Sequence, residues 1–312
     1  MTILVTGATG LIGREFVRLA GPGSETVALV RDESAVDSAV AGGSTEWLQL
    51  DLRDPDFARR LPAHVDAIVH LAQSREYRHF PRGAVDVVDV NLGATARLLE
   101  YACRAGVERF VFASTATIYE PSRAPLTEHA PIRCSSFYAA SKRSAELLIE
   151  QYGELLGCWL LRIFTVYGEG QRDQLIADLV NRVTSGEAVS VQGRSGLPLS
   201  PIHAADVARV LWHVAAGDVP GPQSHCAVVN VGGSEALGIR ELAEKIGQAI
   251  GTAPQFVFSE GDDPAGWIAD RTEFDRMFRR LAEPRLFADG IAEMLAVSDA
   301  GATAGADEMV GR

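Results

Sequence analysis

The stretch ILVTGATGLIG, residues 3–13, places three glycines directly after a short apolar run. The run Ile3 to Val5 predicts a buried strand, and the apolar residues that follow the last glycines recur at helical spacing. Gly7, Gly10 and Gly13 would allow a sharp turn, a close approach of a ligand to the backbone and tight packing of helix on strand. Because the first N–H groups of a helix attract anions, the turn is a candidate site for the pyrophosphate of a dinucleotide. The spacing GxxGxxG differs from the commoner GxGxxG, so other residues must decide.

Composition narrows the class of protein. The chain has 312 residues, of which 47% are apolar, and a formal net charge of −12. The length favours one large domain with a smaller lobe. The negative charge disfavours nucleic acid or an anionic membrane surface as a partner. No apolar run approaches a membrane span and no signal peptide is evident, so we expect a cytoplasmic protein.

Four cysteines are scattered along the chain without CxxC spacing: Cys103, Cys134, Cys158 and Cys226. Paired cysteines at short spacing are the usual sequence sign of a zinc site or a redox motif. We therefore predict reduced thiols and no metal site.

Short apolar runs alternate with helical patterns through the first half of the chain. The predicted strands after the first are Thr26–Val30, Glu46–Leu50, Ala67–Leu71, Arg109–Ala113 and Cys158–Phe164. This alternation is typical of an α/β fold, a doubly wound parallel sheet of the Rossmann type with helices on both faces. Ligands of such sheets bind at the carboxyl ends of the strands.

The helical patterns suggest how the chain divides. Two long amphipathic helices are predicted from Asn91 to Ala105 and from Tyr138 to Leu156, and later ones near residues 173–185, 204–216 and 239–250. We predict a dinucleotide-binding domain over residues 1–168, completed by strands from later segments. Residues 169–297 would form most of a smaller C-terminal substrate-binding lobe. The small, polar tail 298–312 is predicted to be disordered.

A tyrosine and a lysine four residues apart suggest acid–base chemistry. Tyr138 and Lys142 would share one face of a helix, one turn apart. A tyrosine of pKa about 10 becomes useful near neutrality only with a cation beside its phenolate. The alternative is a surface tyrosine with an extended lysine. Ser114, Thr115 and Thr117 end the strand upstream and would either hold a substrate oxygen beside the phenol or only cap the strand end.

Taken together, these features resemble the extended short-chain dehydrogenase/reductase superfamily, which includes nucleotide-sugar epimerases, 4,6-dehydratases and sugar ketoreductases. The similarity extends over roughly residues 1–295 and joins several ordered segments. Beside the Tyr138/Lys142 pair they are TGATGLIG (6–13), DLRDPD (51–56), IVHLAQ (68–73), VNLGATARLLEYACRAGVERFVFAST (90–115), LLRIFTVYGEGQ (160–171), PIHAADVARVL (201–211) and VNVGGSEALGIRELAEKIGQAIG (229–251).

The resemblance implies roles for residues at matching positions. Tyr138 would be the acid/base, Thr115 would hydrogen-bond the reacting oxygen, with Ser114 as the adjacent candidate, and Lys142 would bind the nicotinamide ribose and lower the pKa of Tyr138. Asn91 would support the active-site helix. The implied cofactor contacts are Gly7, Gly10, Leu11, Ile12 and Gly13 for the pyrophosphate, Asp51 and Leu52 for the adenine, and Leu71, Ala72 and Gln73 for the nicotinamide side. It also implies a homodimer through the two long helices.

The end of the second strand bears on the choice of cofactor. An acidic residue about 20 positions beyond the glycines usually holds the 2′-hydroxyl of NAD, whereas a nearby arginine accommodates the 2′-phosphate of NADP. Val30 stands where the acid is often found, and Arg31 follows. Because arginine presents a planar fork to a phosphate, we favour NADP over NAD. Asp32 and Glu33 next to it leave NAD open.

The residues after Thr115 bear on the reaction. Dehydratases of this superfamily place an Asp-Glu pair there, but this chain has Ala116 and Thr117. Dehydration is therefore disfavoured, and an epimerase or a ketoreductase remains. If Arg31 selects NADPH, it favours reduction.

The substrate is less well defined. Nucleotide-sugar enzymes of the superfamily contact the diphosphate through an Asn and an Arg, whose places Thr165 and Leu199 take here. Arg172 and Arg194 are nearby cations that would replace them, or are solvated loop charges. Residues 74–81 are a further candidate segment, whereas His203 and Asp206 are interpreted as structural. We expect the substrate to be a sugar and favour a nucleotide-linked one. The alternatives are a reductase of a non-nucleotide carbonyl compound and a catalytically inactive NAD(P)-binding regulatory protein.

Overall fold

The computed structural model describes residues 1–21, 24–36, 45–221 and 226–296. The predicted disordered tail, residues 298–312, lies outside the described residues. Within those ranges the strands are numbered β1–β11 and the helices α1–α9.

A parallel sheet of seven strands forms the centre, in the order β10-β6-β5-β4-β1-β2-β3. This is the doubly wound, Rossmann-type arrangement predicted from the alternating pattern. Two further two-stranded sheets pair β8 with β11 and β7 with β9. The strands are β1 Thr2–Thr6, β2 Glu25–Val30, β3 Thr45–Gln49, β4 Ala67–His70, β5 Arg109–Thr115, β6 Gly157–Ile163, β7 Val166–Tyr167, β8 Val189–Gln192, β9 Ile202–His203, β10 Cys226–Val231 and β11 Phe256–Ser259.

Helices cover both faces of the central sheet. Between β4 and β5 the chain is helical from Ala84 to Ala105, with a wider π-helical turn at Asp89–Gly93. The helices are α1 Leu11–Arg18, α2 Ala84–Val88, α3 Ala94–Ala105, α4 Phe137–Glu150, α5 Leu175–Ser185, α6 Ala204–Ala216, α7 Ile239–Ile250, α8 Thr272–Phe278 and α9 over residues 287–296.

The central strands are apolar on both sides because helices bury both faces. One apolar core joins α1 and α6 to one face of the sheet, and a second joins α3 and α4 to the other. A third core lies among α5, α7, α9 and β8. The candidate ligand site lies at the carboxyl ends of the strands, as expected for such a sheet.

Two predicted helices have different bounds in the structure. The helix at Tyr138 ends at Glu150 rather than Leu156, and residues 151–155 form turns. Gly153 lies among these turn residues, and glycine is a poor helix former. The helix predicted from Asn91 begins about two turns earlier, at Ala84. Helix α6, predicted in the lobe segment, packs against α1 and the central sheet.

Candidate active site

The glycine turn after β1 is built so closely that side chains would not fit. Gly7 has φ +71°, and a Cβ there would lie 2.7 Å from the backbone nitrogen of Ala72. A Cβ on Gly13 would lie only 2.2 Å from the carbonyl oxygen of Gly7. The turn is held by a hydrogen bond of 2.9 Å from the amide of Gly10 to the same carbonyl. Glycine is therefore required both by the backbone angle and by the close approach of helix and strand.

The first turn of α1 offers N–H groups to a ligand. Gly10 is its N-cap residue, and no side chain caps the helix. The helix begins with Leu11, Ile12 and Gly13, whose amides point out of the N-terminus, where the dipole favours negative charge. The predicted pyrophosphate contacts therefore lie together, and they fit an anion on backbone amides.

A buried histidine joins three elements beneath this turn. The two ring nitrogens of His70, at the end of β4, lie 2.7 Å from the hydroxyl of Thr6 and 3.0 Å from that of Thr95. Burial, with a smaller effect of the nearby Lys142 charge, lowers the pKa of His70 to about 3. The ring is therefore neutral and acts as a hydrogen-bonding link. The Thr6 hydroxyl also accepts the amide of Ala72, which places the predicted nicotinamide-side segment beside the turn.

Thr115 and Tyr138 meet where β5 ends and α4 begins. Burial and the neighbouring Tyr77 raise the pKa of Tyr138, while the adjacent Thr115 hydroxyl, which can donate to the phenolate oxygen, lowers it. The Thr115 hydroxyl also lies 3.0 Å from that of Thr117. The helix carrying Tyr138 is started by Ser136, whose hydroxyl accepts the amide of Ala139 at 3.1 Å. The phenol thus retains its proton at neutral pH and is held against a hydroxyl.

Lys142 lies one turn further along α4 and is almost completely buried, with 2% of its surface exposed. Its ammonium lies 4.1 Å from the centroid of the Phe112 ring. Within the described ranges it makes no hydrogen bond and no ion pair. Burial lowers its pKa to about 7, while the charge of Glu146 raises it. A buried cation without a hydrogen-bond partner fits the hydroxyls of a ribose.

Glu146 is a buried carboxylate next to the site, and the sequence did not predict a role for it. It is fully buried one turn beyond Lys142 and pairs with the buried guanidinium of Arg162 at 3.0 Å and with Arg143 at 2.8 Å. Ser114 donates to the same carboxylate at 2.5 Å. The Ser114 hydroxyl is therefore used by this network, whereas Thr115 faces Tyr138. An acidic residue four positions after the lysine, on a partly apolar helix, was the available signal.

Asn91 joins the loop after β4 to the active-site helix. Its side-chain oxygen accepts the amide of Ser74 at 2.9 Å, and its side-chain nitrogen donates to the hydroxyl of Ser141 at 2.9 Å. Ser141 in turn donates to the carbonyl of Tyr138 at 2.8 Å. The predicted supporting role of Asn91 thus has a direct geometric counterpart.

An aromatic cavity opens beside Tyr138. The ring of Tyr77 lies 4.7 Å from that of Tyr138, and Phe80 stacks on Phe137 at 4.9 Å. The cavity, of about 380 Å³, is lined by Tyr77, Phe80, Ser135, Ser136, Phe137 and Tyr138. Uncharged aromatic faces beside a phenol suit the apolar face of a ligand. Tyr77 and Phe80 belong to the candidate segment 74–81. The sequence alone does not predict that their rings pack against those of Tyr138 and Phe137.

The predicted adenine side lies at the ends of β2 and β3. The carboxylate of Asp51 is held by the Arg53 guanidinium, whose Nη2 lies 2.5 Å away, and this hydrogen bond lowers the pKa of Asp51. The exposed Arg31 is near enough to lower that pKa further by its charge. Leu52 is half-buried, Leu71 and Ala72 are half-buried beside the glycine turn, and Gln73 is exposed.

The predicted substrate contacts are spread over two regions. Thr165 is half-buried, and its carbonyl accepts the amide of Ile202 at 2.9 Å. Arg172 is exposed next to Asp173. The carboxylate of Asp173 lies 3.5 Å from the guanidinium of Arg78, which belongs to the segment 74–81. Arg194 is exposed, and its amide donates to the carboxylate of Asp263 at 2.7 Å, beside a second pocket that Asp263 lines with Ser195 and Asp262.

Leu199 and the residues interpreted as structural are buried. Leu199 is 3% exposed and bridges the backbones of Leu237 and Trp267. His203 caps α6, and its Nδ1 accepts the amide of Ala205 at 3.2 Å. Asp206 is fully buried and pairs with Arg285 at 3.0 Å.

Neither a metal-binding cluster nor a membrane-spanning helix is found in the described part of the chain. There, no three His, Cys, Asp or Glu side chains are grouped so that they could hold a metal ion. Among the helices with described residues, none combines the length and the apolar character needed to cross a membrane.

The buried Glu146 gives a testable pH dependence. Glu146→Gln removes the negative charge that raises the pKa of Lys142, which is about 7 in the native chain. A reaction that needs the Lys142 cation is active below this pKa and loses activity as pH rises through it. We therefore expect this loss to occur about 1 pH unit lower in Glu146→Gln. The pH profile of kcat/KM measures the shift.

Glu150→Gln is the matched control. Glu150 binds the same Arg143 at 2.7 Å but lies a further turn from Lys142. Its pH profile should match that of the native chain. Because Glu146→Gln leaves Arg162 buried without its charged partner, circular dichroism must first show that the variant is folded at the assay temperature. A folded Glu146→Gln variant with an unchanged profile would contradict the assigned coupling.

A parallel doubly wound sheet, a glycine turn after its first strand and a Tyr–Lys pair at its carboxyl edge define the class of Rossmann-type dinucleotide-binding proteins. The model of the NAD dependent epimerase/dehydratase family matches residues 3–232. The chain belongs to this family, as the resemblance to extended short-chain dehydrogenases/reductases implied.

Individual relatives are similar over nearly the whole chain. A UDP-glucose 4-epimerase of Streptomyces lividans is 31% identical over 290 residues, covering 85% of this chain and 87% of the relative. A dTDP-glucose 4,6-dehydratase of Streptomyces niveus is 30% identical over 311 residues, covering 94% and 91%. The solved structure of MoeE5 in complex with UDP-glucuronic acid and NAD is 28% identical, with a TM-score of 0.79 and coverage of 96% and 100%.

Proposed function

We propose that this protein is a nicotinamide-dependent epimerase or ketoreductase that transfers a hydride at a secondary alcohol or ketone carbon of a nucleotide-linked sugar. The observation that carries the proposal is the position of Tyr138 beside Thr115, with the buried Lys142 ammonium one helical turn further along α4. When bound, the dinucleotide supplies the hydride acceptor and donor. The names of the relatives, a UDP-glucose 4-epimerase and a complex with UDP-glucuronic acid, support the nucleotide-sugar class.

Residues of the chain itself would donate and accept the proton of the reaction. When a carbonyl carbon gains a hydride, its oxygen becomes negative and requires a proton, which Tyr138 retains at neutral pH because its pKa is raised. Thr115 would hydrogen-bond the same oxygen. In the oxidising direction the phenolic oxygen receives the proton of the substrate hydroxyl. Lys142 would hold the ribose and keep a positive charge near the ring.

Dehydration remains disfavoured, although a relative is a dTDP-glucose 4,6-dehydratase. Elimination of water needs a paired acid and base beside the reacting carbon. Ala116 and Thr117 follow Thr115, and neither side chain titrates in the working range. The Thr117 hydroxyl is hydrogen-bonded to the Thr115 hydroxyl. We therefore favour reactions that need only the Thr115, Tyr138 and Lys142 set.

NADP remains our preferred cofactor, with NAD as the alternative that the MoeE5 complex supports. Arg31 is exposed at the end of β2, and its side chain makes no hydrogen bond or ion pair within the described ranges. The carboxylate of Asp32, in contrast, accepts the amide of Ser34 at 2.9 Å. The guanidinium is thus available to a 2′-phosphate.

Arg31→Ala should therefore affect the two cofactors differently. We expect KM for NADPH to rise about 10-fold to 100-fold, since a charge-assisted hydrogen bond to the phosphate is lost. KM for NADH should change less than about threefold. The exposed Arg59, paired with Asp56 at 3.1 Å, offers the control Arg59→Ala, which should change neither constant. An equal effect of Arg31→Ala on both cofactors would exclude 2′-phosphate recognition.

A homodimer through the long helices remains a proposal. Val85 and Val88 on α2 and Leu147 and Leu148 on α4 are exposed apolar side chains, with Val85 72% exposed. Apolar side chains grouped at a surface are a usual feature of subunit interfaces. Light scattering of the purified protein gives the oligomeric state.

A second candidate is a reductase of a carbonyl compound without a nucleotide. Leu199, where a diphosphate-binding arginine was expected, is buried and apolar. The exposed Arg172 and Arg194 are the cations left to contact a diphosphate from the predicted set. An inactive regulator is less well supported, because such a protein has no need of Tyr138 and Lys142.

A substrate panel distinguishes these functions. UDP-glucose, UDP-glucuronic acid and dTDP-glucose are incubated with the protein and either dinucleotide, beside sugars and ketones that carry no nucleotide. We expect an epimer by NMR, or a change in nicotinamide absorbance, with a nucleotide sugar. Turnover of unlinked carbonyl compounds alone would support the second candidate, and no turnover of any compound would support the regulator. Tightly bound oxidised nucleotide in the purified protein would favour an epimerase over a reductase.

A further inference from the structure

Two of the four cysteines lie side by side in the central sheet. Cys158 on β6 and Cys226 on β10 are direct register partners in the parallel pairing of these strands. Their sulfur atoms lie 3.7 Å and 3.8 Å from the same acceptor, the carbonyl oxygen of Ile149 at the end of α4. Both side chains therefore point to the same face of the sheet. The two thiols are close enough for each to shift the pKa of the other.

The backbone separation permits a covalent link. Neighbouring strands lie about 4.8 Å apart, and disulfides join Cα atoms about 4.4–6.8 Å apart. Cys226 is the first residue of β10, and β10 is an edge strand. An edge strand is held by one neighbour only, so its first residue can approach β6 with little disturbance of the rest of the sheet.

The two thiols differ in accessibility and acidity. Cys158 is fully buried, whereas Cys226 is part-exposed. The neighbouring Cys158 lowers the pKa of the Cys226 thiol, and Cys226 together with burial raises the pKa of Cys158. Cys226 is thus the better nucleophile and Cys158 the buried second thiol.

We propose that Cys158 and Cys226 form a reversible disulfide that joins the edge strand β10 to β6. With a low-molecular-weight disulfide such as glutathione disulfide as oxidant, the Cys226 thiolate attacks one sulfur and releases one glutathione thiol. Cys158 then loses its proton and attacks the Cys226 sulfur of the mixed disulfide, which releases the second glutathione. One protein S–S bond forms, two protein thiols are oxidised, and one glutathione disulfide is reduced to two thiols.

The link would act on the sheet edge and not on the reacting groups. Further along β10, Asn230 accepts the hydroxyl of Tyr119 at 2.8 Å, and that hydroxyl also accepts Arg162 at 2.8 Å. Arg162 pairs with Glu146 behind the candidate active site. Fixing β10 thus stabilises the strand that supports this network. The proposal does not depend on the proposed function.

The test uses the whole protein without any substrate. The variant Cys103→Ser/Cys134→Ser keeps only the proposed pair and is treated with glutathione disulfide. We expect a peptide linking residues 158 and 226 by non-reducing mass spectrometry, with a mass loss of about 2 Da for two hydrogens. The thermal midpoint should rise on oxidation and return to its starting value with dithiothreitol.

Matched variants make the result decisive. Cys226→Ser, at a part-exposed position, should fold normally and show no linked peptide and no oxidant-dependent rise in the midpoint. Cys103 lies near enough to Cys158 to influence its pKa, so the native chain is mapped in parallel. A Cys103–Cys158 link, a stable glutathione adduct on Cys226, or no oxidation of the double variant would each overturn the proposal.

Discussion

Tyr138→Phe is expected to lower kcat by about 100-fold to 10,000-fold, the usual contribution of a general acid or base. The change removes one oxygen and leaves the ring in place against Tyr77, whose centroid is 4.7 Å away. Dinucleotide affinity should stay within about threefold of the native value, because the phenol contributes little to ground-state binding. Steady-state kinetics and a fluorescence titration with the dinucleotide measure the two effects separately.

Tyr77→Phe is the matched control for this experiment. It removes the same atom from the neighbouring ring, and the Tyr77 hydroxyl accepts Arg78 at 3.2 Å outside the reacting set. Its kcat should remain within a few-fold of the native value. If both variants turn over at the native rate, Tyr138 is not the acid–base group.

Gly13→Ala is expected to abolish useful dinucleotide binding. The added Cβ would lie 2.2 Å from the carbonyl oxygen of Gly7, so the glycine turn must move away from the helix. Displacing a packed backbone costs about 3 kcal/mol, which corresponds to a loss of affinity of about 100-fold or more. Isothermal titration calorimetry measures the change in Kd.

Two other glycines provide a graded comparison. A Cβ on Gly10 would lie 3.1 Å from the same carbonyl, and one on Gly221 would meet nothing within 4 Å. Gly10→Ala should therefore have an intermediate effect, and Gly221→Ala should bind the dinucleotide as the native chain does. Circular dichroism shows whether each variant is folded. Native affinity in a folded Gly13→Ala variant would exclude the glycine turn as the binding site.

Local sequence was sufficient to predict the parallel sheet, the glycine turn and the Tyr138/Lys142 pair. The period of the apolar runs predicts the parallel strands, because both faces of the sheet are buried. The glycine turn is predictable because Gly7 and Gly13 occupy places where a Cβ would overlap the backbone. The spacing of Tyr138 and Lys142 predicts that they lie on one face of a helix, and they do.

The directions of individual side chains could not be obtained in this way. Ser114 and Thr115 are consecutive residues of β5, so they point to opposite faces, but only the packed structure shows that Ser114 reaches Glu146. The Lys142 ammonium lies against Phe112, a residue far away in sequence. Spacing therefore predicted that Tyr138 and Lys142 share a helix face, but not that the ammonium lies against the Phe112 ring.

Contacts between distant segments explain the remaining differences. The stacking of Tyr77 on Tyr138 joins the loop after β4 to α4, and no local pattern reports such a pair. The pairing of Glu146 with Arg162 likewise needs α4 to lie on β6. The neighbourhood of Cys158 and Cys226 depends on the strand order, which places β10 beside β6.

The most direct test of the account is a crystal structure of the protein with a nicotinamide dinucleotide and UDP-glucose. The account predicts the pyrophosphate on the amides of Leu11 and Ile12 and the Lys142 ammonium about 3 Å from a ribose hydroxyl. It also predicts the oxygen of Tyr138 and that of Thr115 about 3 Å from one sugar oxygen. A dinucleotide bound elsewhere, or a sugar that reaches neither Tyr138 nor Thr115, would contradict it.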